Sequence, residues 1–533
     1  MEHFSSENRE GYYQNPVIYS DYSDPDAIRV GNDYYLTASS FTNTPGLPIL
    51  HSLDLVHWKL TGYALENVPG DRYKKPMHGC GVWAPAIRYH NGYFYIYFPM
   101  PDEGIFVTRS KSIHGPWSEP LNIMPGAGHI DPCPFWDEDG KAYLVYGVAK
   151  SRIGYKSVLY ISELSGDGMA IIGKEIKVFD GNHNGQNTVE GPKLYKRNRY
   201  YYIFAPAGGV KTGWQLVLRS ADIYGPYEYR IVMKQGSTGI NGPHQGAWVD
   251  TVSGEDWFIH FQDVYAAGRI VHLQPMHWED DWPVIGNEIS DGCGEPVITY
   301  KYPHTLMQGR CDDWTPDTSD HFENGRPNTA WQWNANHKGE WIEAHGGSGL
   351  EMTTVETDPS IPIGDYPNIL MQKWPGPEFS IETVIDISEL KENNRAGIIS
   401  MGMDYGVLEF QRNKEEIAVN FIRGHQVFGR ILVDRTDQKS EYIGKIELEN
   451  AHRIRVIQKV IRKGLRDLSE SEKNFPREEI SFAFAVSDKE EIEAGTIESH
   501  PGRWVGSKNG FYAVADRGFE KGVLKVISVS YKK

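Results

Sequence analysis

The sequence predicts an all-β protein, a five-bladed β-propeller followed by a β-sandwich. Three observations carry that prediction. Short runs of Tyr, Phe, Val and Ile, bounded by Gly, Asn, Asp and Pro, recur along the chain, whereas long amphipathic helical periods are nearly absent. One pattern returns five times in the first half: a polar or small residue, Pro, a short apolar strand, a turn and an aromatic strand. The pattern then stops, and alternating strand-like segments continue to the end.

The copies are DPDAIRVGNDYYLTAS, APAIRYHNGYFYIYF, DPCPFWDEDGKAYLVYG, EGPKLYKRNRYYYIFAPAGG and the degenerate GPHQGAWVDTVSGEDWFIHF. Their prolines, Pro25, Pro85, Pro132, Pro192 and Pro243, are spaced by 60, 47, 60 and 51 residues. Each interval holds one four-stranded blade, and each copy reads as its two inner strands joined by a tight turn. Inner strands of a propeller line one central channel, so the starts of all blades face the same mouth. The residues beside the prolines, Asp24, Ala84, Asp131, Glu190 and His244, are therefore expected to converge. Residues 12–300 are assigned to the propeller, 301–320 to a linker and 321–533 to the sandwich, whose strands include FSIETVID, GVLEFQR, IAVNFIRG and VLKVISVSY. The charged stretch KVIRKGLRDLSESEKNFPREE reads as a solvated loop or hairpin tip.

Composition narrows the function. A net charge of −17 disfavours nucleic acid and anionic membrane as partners and suits a neutral ligand. The opening residues show no basic cap followed by an apolar run, and no stretch has the length of a bilayer span, so a cytoplasmic location is expected. Cys80, Cys133, Cys293 and Cys311 lie far apart without paired metal spacing, which predicts free thiols and no zinc.

Asp24, Asp131 and Glu190 form a trio of acids set by the blade period, and isolated turn acids have no reason to follow that period. Such a trio suits glycoside hydrolysis, in which one carboxyl gives a proton to the departing oxygen and another activates water or attacks the anomeric carbon. His244 reads either as a hydrogen-bonded core histidine or as a neighbour of a channel ion. Asp26 is expected to close the turn after Pro25.

Several stretches carry a family resemblance: SDPDAIRVGNDYYLTASSF, GVWAPAIRYHNGYFYIYF, IDPCPFWDEDGKAYLVYG, VEGPKLYKRNRYYY, GPHQGAWV and GRIVHLQPMHWEDDWPVIG, then PNTAWQWNANHKGEW and GRWVGSKNGFYA. The chain resembles glycoside hydrolase family 43, in its two-domain β-xylosidase and α-L-arabinofuranosidase branch. That resemblance implies an inverting, exo-acting enzyme that releases terminal β-D-xylose from xylo-oligosaccharides, with α-L-arabinofuranosidase activity beside it. It implies Asp24 as general base, Glu190 as general acid and Asp131 as the residue that orients the acid and raises its pKa. It further implies Arg269, Phe41 and Trp83 in the sugar pocket. His244 would lie near a structural calcium held mostly through waters, with no cofactor needed for the chemistry. The run Phe41-Thr42-Asn43-Thr44-Pro45 departs from the aromatic-rich family pattern, so xylose and arabinose stay open. A dedicated α-L-arabinofuranosidase is the enzymatic rival, and a non-catalytic sugar-binding propeller is the rival of another class. The second domain is expected to lend a loop to the pocket entrance, with Trp331 and Trp333 read as core side chains ahead of sugar platforms. Oligomeric state is left open.

Overall fold

The computed structural model describes residues 5–305, 318–343, 347–429, 433–465, 476–487 and 489–532. Five sheets of consecutive antiparallel strands make the propeller. Their inner strands are Asp26–Val30, Ala86–His90, His129–Trp136, Lys193–Arg197 and His244–Asp250, and each pairs with the aromatic strand after it. The turns are tight where the sequence supplies left-handed formers: Asn91 and Gly92, with φ of 47° and 79°, join His90 to Tyr93. Among the described residues, the one α-helix is the four-residue Lys150–Ile153.

No blade borrows a strand from another, so the ring is held by packing between blades, such as Tyr34 and Leu36 with Trp257 and Val271, and by polar contacts between inner strands. Blade I meets blade V through Arg29, whose guanidinium pairs with Asp250 at 2.5 Å. Blade IV meets blade V where the Tyr195 hydroxyl accepts from Trp248 N at 3.1 Å. Lys196 and Asp137 join blades IV and III at 2.6 Å. The strongest clasp is at Asp26, which the sequence reading assigned to turn closure. Asp26 instead begins the first inner strand, fully buried, and its Oδ2 accepts from Ile87 N at 2.7 Å and Arg88 Nη1 at 2.6 Å. Arg88 continues to Cys133 Sγ of blade III at 2.9 Å. The carboxylate before the proline faces the mouth, and the one after it locks blade I to blade II.

Residues 287–301 fold back on the propeller. Asn287–Ser290 and Cys293–Glu295 extend the blade IV sheet, and Thr299–Lys301 pairs with Tyr12–Gln14. The second domain is two stacked sheets around a large apolar core that includes Trp331 and Trp333, both almost fully buried. Trp331 donates its indole N–H to Asp320 Oδ2 at 2.9 Å. The charged stretch begins and ends in paired strands, Ile454–Leu465 and Pro476–Val486; its centre lies outside the described residues, as does Cys311.

The domains share a polar seam. Thr44 and Trp333 exchange two backbone hydrogen bonds, of 3.1 and 2.6 Å, and Thr44 Oγ1 donates to Ala335 O at 2.6 Å. The departure from the family pattern at residues 41–45 thus docks the sandwich.

Removing one partner of a buried ion pair strands the other charge, at a cost of about 3–5 kcal/mol. Arg88→Met is expected to destabilise the propeller by about that amount, read from its denaturant unfolding transition. A loss below about 1 kcal/mol, the scale of a surface pair, would deny Asp26–Arg88 its clasping role.

Candidate active site

At the mouth of the channel lies a cavity of about 380 Å³ whose wall includes Asp24, Ala84, Asp131, Glu190 and His244. The polar or small residues that open all five repeats meet there. Phe41, Trp83 and Arg269 line the same cavity.

The backbone explains how short acids reach the mouth. Asp24 and Asp131 both have φ of 56°, and Gly191 has φ of 59°, each immediately before a proline. The left-handed region is costly for most L-residues but open to Asp, Asn and Gly, and a following proline ordinarily favours extended backbone. Blade IV therefore places Gly191 at the position matching Asp24 and Asp131, and its acid stands one residue earlier. The longer side chain of Glu190 makes up that offset.

Each acid has a distinct environment. Asp24 Oδ2 accepts from Ser39 Oγ at 2.6 Å, and Oδ1 accepts from Arg269 Nη1 at 3.0 Å. The same Nη1 donates to Ser23 Oγ at 2.7 Å, and the guanidinium lies over the Phe261 ring at 4.8 Å. Asp131 is 2% exposed, and its Oδ2 accepts from Gly191 N at 2.8 Å and Gln245 Nε2 at 3.2 Å. Burial, reinforced by the charges of Glu190 and Asp24, pushes the Asp131 carboxyl up to about 8. The Glu190 side chain is 26% exposed, against 8% for Asp24. Its Oε1 lies 2.9 Å from His244 Nε2. The His244 ring is buried, and its Nδ1 has no partner.

Trp83 donates its indole N–H to Gly79 O at 3.1 Å, and its ring receives Arg152 at 5.0 Å. On the other side it meets Trp504 edge to face, centroids 4.9 Å apart. Trp504 belongs to the sandwich yet lines the cavity, so the pocket is completed by both domains. Its φ is 62°, and Arg503 stacks on its ring at 4.6 Å. Thr188, at φ 60°, accepts from Lys156 Nζ at 2.7 Å on the same wall.

The sequence patterns do not single out Ser39, Thr188, Gln245 or Trp504. Gln245 adjoins His244 in the fifth repeat, and Trp504 falls within a stretch that carries the family resemblance; neither signal says that the side chain reaches the acids' pocket.

The model of glycosyl hydrolases family 43 matches residues 13–283, and that of the beta xylosidase C-terminal concanavalin A-like domain matches residues 319–532. The chain belongs to glycoside hydrolase family 43. A Xylanibacter ruminicola protein is 40% identical over 402 residues, covering 74% of this chain and 71% of that one. A beta-xylosidase of Formosa agariphila is 34% identical, covering 61% of this chain and 59% of its own. A non-reducing end alpha-L-arabinofuranosidase of Bacteroides ovatus is 28% identical, covering 76% and 77%. Among solved structures, a bifunctional GH43-CE protein of Bacteroides eggerthii superposes with a TM-score of 0.79 at 25% identity, over 97% of this chain and 63% of that one. The xylan beta-1,4-xylosidase of Bacillus halodurans superposes with the same TM-score at 21% identity, over 98% and 100%, and shares the fold. As a family 43 member with these acids in one pocket, the protein is a glycoside hydrolase, and the non-catalytic reading falls away.

The raised Asp131 carboxyl sets a pH dependence. Below about pH 8 the acid cluster retains a proton, and above it the proton is lost and like charges crowd the pocket. The kcat/KM profile is expected to fall through a basic limb near pH 8. Asp131→Asn, which removes the titrating group, is expected to move that limb by about a unit or more; a limb that stays in place would assign the titration elsewhere.

Proposed function

We propose that this family 43 enzyme is an inverting exo-glycosidase that removes terminal β-D-xylose from xylo-oligosaccharides and also hydrolyses α-L-arabinofuranosides. The observation that carries this reading is the pocket that gathers Asp24, Asp131 and Glu190. Its volume of about 380 Å³ stands at the low end of the roughly 300–1,000 Å³ of small-ligand sites, a size that suits a chain end, and the sandwich contributes Trp504 to its lining. Relatives named for xylosidase and arabinofuranosidase activities support the sugar class.

In this reading Asp24, held by Ser39 and Arg269, is the general base that draws a proton from water. Glu190, the most exposed of the three acids, gives its proton to the departing oxygen. With hydrogen on His244 Nε2, that ring donates to Glu190 Oε1 and leaves Oε2 to carry the acid proton toward the substrate. Asp131, the most buried of the three acids, accepts from Gly191 N next to Glu190; it orients the acid and, by its proximity, keeps a proton in the cluster. Inversion calls for about 6.5–9.5 Å between the base and acid carboxyls, room for one water. Arg269, Phe41 and Trp83 bind the sugar.

A structural calcium is part of the proposal. The buried His244 Nδ1 has no hydrogen-bond partner, which leaves a lone pair for one position beside a largely hydrated ion. His244 would help hold it, mostly through waters, and its positive charge would steady the channel. A cytoplasmic location is proposed as well, supported by Cys80, Cys133 and Cys293 being unbridged.

Proton NMR of the first xylose released from an aryl β-D-xyloside is expected to show the α-anomer. Asp24→Ala and Glu190→Ala are each expected to lower kcat on aryl xylosides by about 10²–10⁴. Initial β-xylose would overturn the base assignment, and an arabinofuranoside preference above about tenfold, or 1.4 kcal/mol, would make the enzyme a dedicated arabinofuranosidase.

A further inference from the structure

Asp21 lies three residues before the proposed base and does not line the pocket, yet it is buried at the seam between the domains. Its Oδ1 accepts from the backbone N–H of Arg269 at 2.9 Å. Its Oδ2 accepts from the backbone N–H of Gly506 at 2.9 Å. Arg269 carries the guanidinium that holds Asp24, and Gly506 stands two residues after Trp504. One carboxylate therefore grips the arginine of the proposed base with one oxygen and the loop of the pocket-lining Trp504 with the other.

The surroundings leave little slack. A Cβ at Gly268 would stand 2.5 Å from Asp21 Oδ1, and one at Gly506 would stand 2.9 Å from Ala267 O. Ser507 N donates to Ala266 O at 2.7 Å beside it. Two lysines of the sandwich face this point: half-buried Lys373 donates its Nζ to the Asp21 carbonyl at 2.6 Å and lies over the Tyr22 ring at 3.9 Å, and buried Lys508 feels the Asp21 charge. Only an ionised carboxylate offers two acceptor oxygens at this reach; an amide would turn a donor toward one of the two N–H groups. The residue type is therefore fitted to a two-sided task.

We infer that Asp21 is a positioning residue that couples the sandwich loop bearing Trp504 to the Arg269–Asp24 pair, so that the entrance wall and the base are set by one group. This inference rests on the hydrolase reading above. It requires that disturbing Asp21 and removing Trp504 act through a shared element, and such pairs are non-additive.

The test is a double-mutant cycle in kcat/KM for an aryl β-xyloside with Asp21→Asn, Trp504→Ala and both, in the full chain. Asp21→Asn is expected to lower kcat/KM about tenfold or more, since small misplacements of a reacting group are costly. Trp504→Ala is expected to cost at least about threefold less in the Asp21→Asn background than in the wild type. Single effects that multiply to the double effect would overturn the coupling. Should Asp21→Asn fail to fold, as judged by circular dichroism and thermal melting, Asp21→Glu, which keeps the charge opposite Lys373 and Lys508, runs the same cycle with the same criterion. A wild-type protein inactive on aryl glycosides would strike the hydrolase reading, whereas an active one with multiplicative effects would strike only Asp21.

Discussion

Three carboxyls must share one desolvated mouth without driving the ring apart, and most features of the propeller's upper face answer that constraint. Like charges at close range repel far more strongly in a cavity than in water. The protein meets the repulsion differently at each acid. Asp24 receives a guanidinium and a hydroxyl, Glu190 an imidazole, and Asp131 a backbone N–H and an amide. Asp131, with only neutral donors in direct contact and the deepest burial, is the acid whose affinity for a proton rises. Unequal solvation of similar groups is what allows one site to hold both a proton donor and a proton acceptor.

The rest of the propeller keeps those solvation differences in place. Because every blade is made of consecutive strands, the ring closes through apolar packing between blades and through side chains such as Arg29, Asp26, Arg88 and Tyr195 reaching across inner strands. These clasps lie on the strands that deliver the acids, so blade spacing and carboxyl spacing are one geometric quantity. The sandwich adds the outer wall. It is seated through backbone pairing at Thr44 and through the loop around Gly506, and Trp504 completes the pocket from that side.

Much of this was legible in the sequence because repetition converts linear spacing into geometry. Five prolines in register announce five equivalent strand starts, and so the meeting of Asp24, Asp131 and Glu190 could be read before any coordinates. The role of Asp26 could not, because it depends on Ile87 and Arg88 of the next blade, and nothing local distinguishes a clasp from a turn acid. The offset at Glu190 was hidden for a related reason: the left-handed backbone falls on Gly191, and only the φ angles show which residue matches Asp24. Thr44 and Trp504 act across the domain seam, where neither strand periodicity nor repeat spacing carries information. Trp331 and Trp333 were legible as core, since large aromatics in alternating strands bury first.

The glycine at position 191 also gives the two ends of the reaction different stiffness. Asp24 has a short stem on a constrained backbone and is tethered at both oxygens, so the proposed base is rigid. Glu190 has one more methylene, is held at Oε1 by His244 and has more open space, so as the proposed acid its outer oxygen can follow the bridging atom as that atom recedes from the ring. A fixed base and a compliant proton source suit the proposed displacement, in which the water must be aimed and the proton must travel.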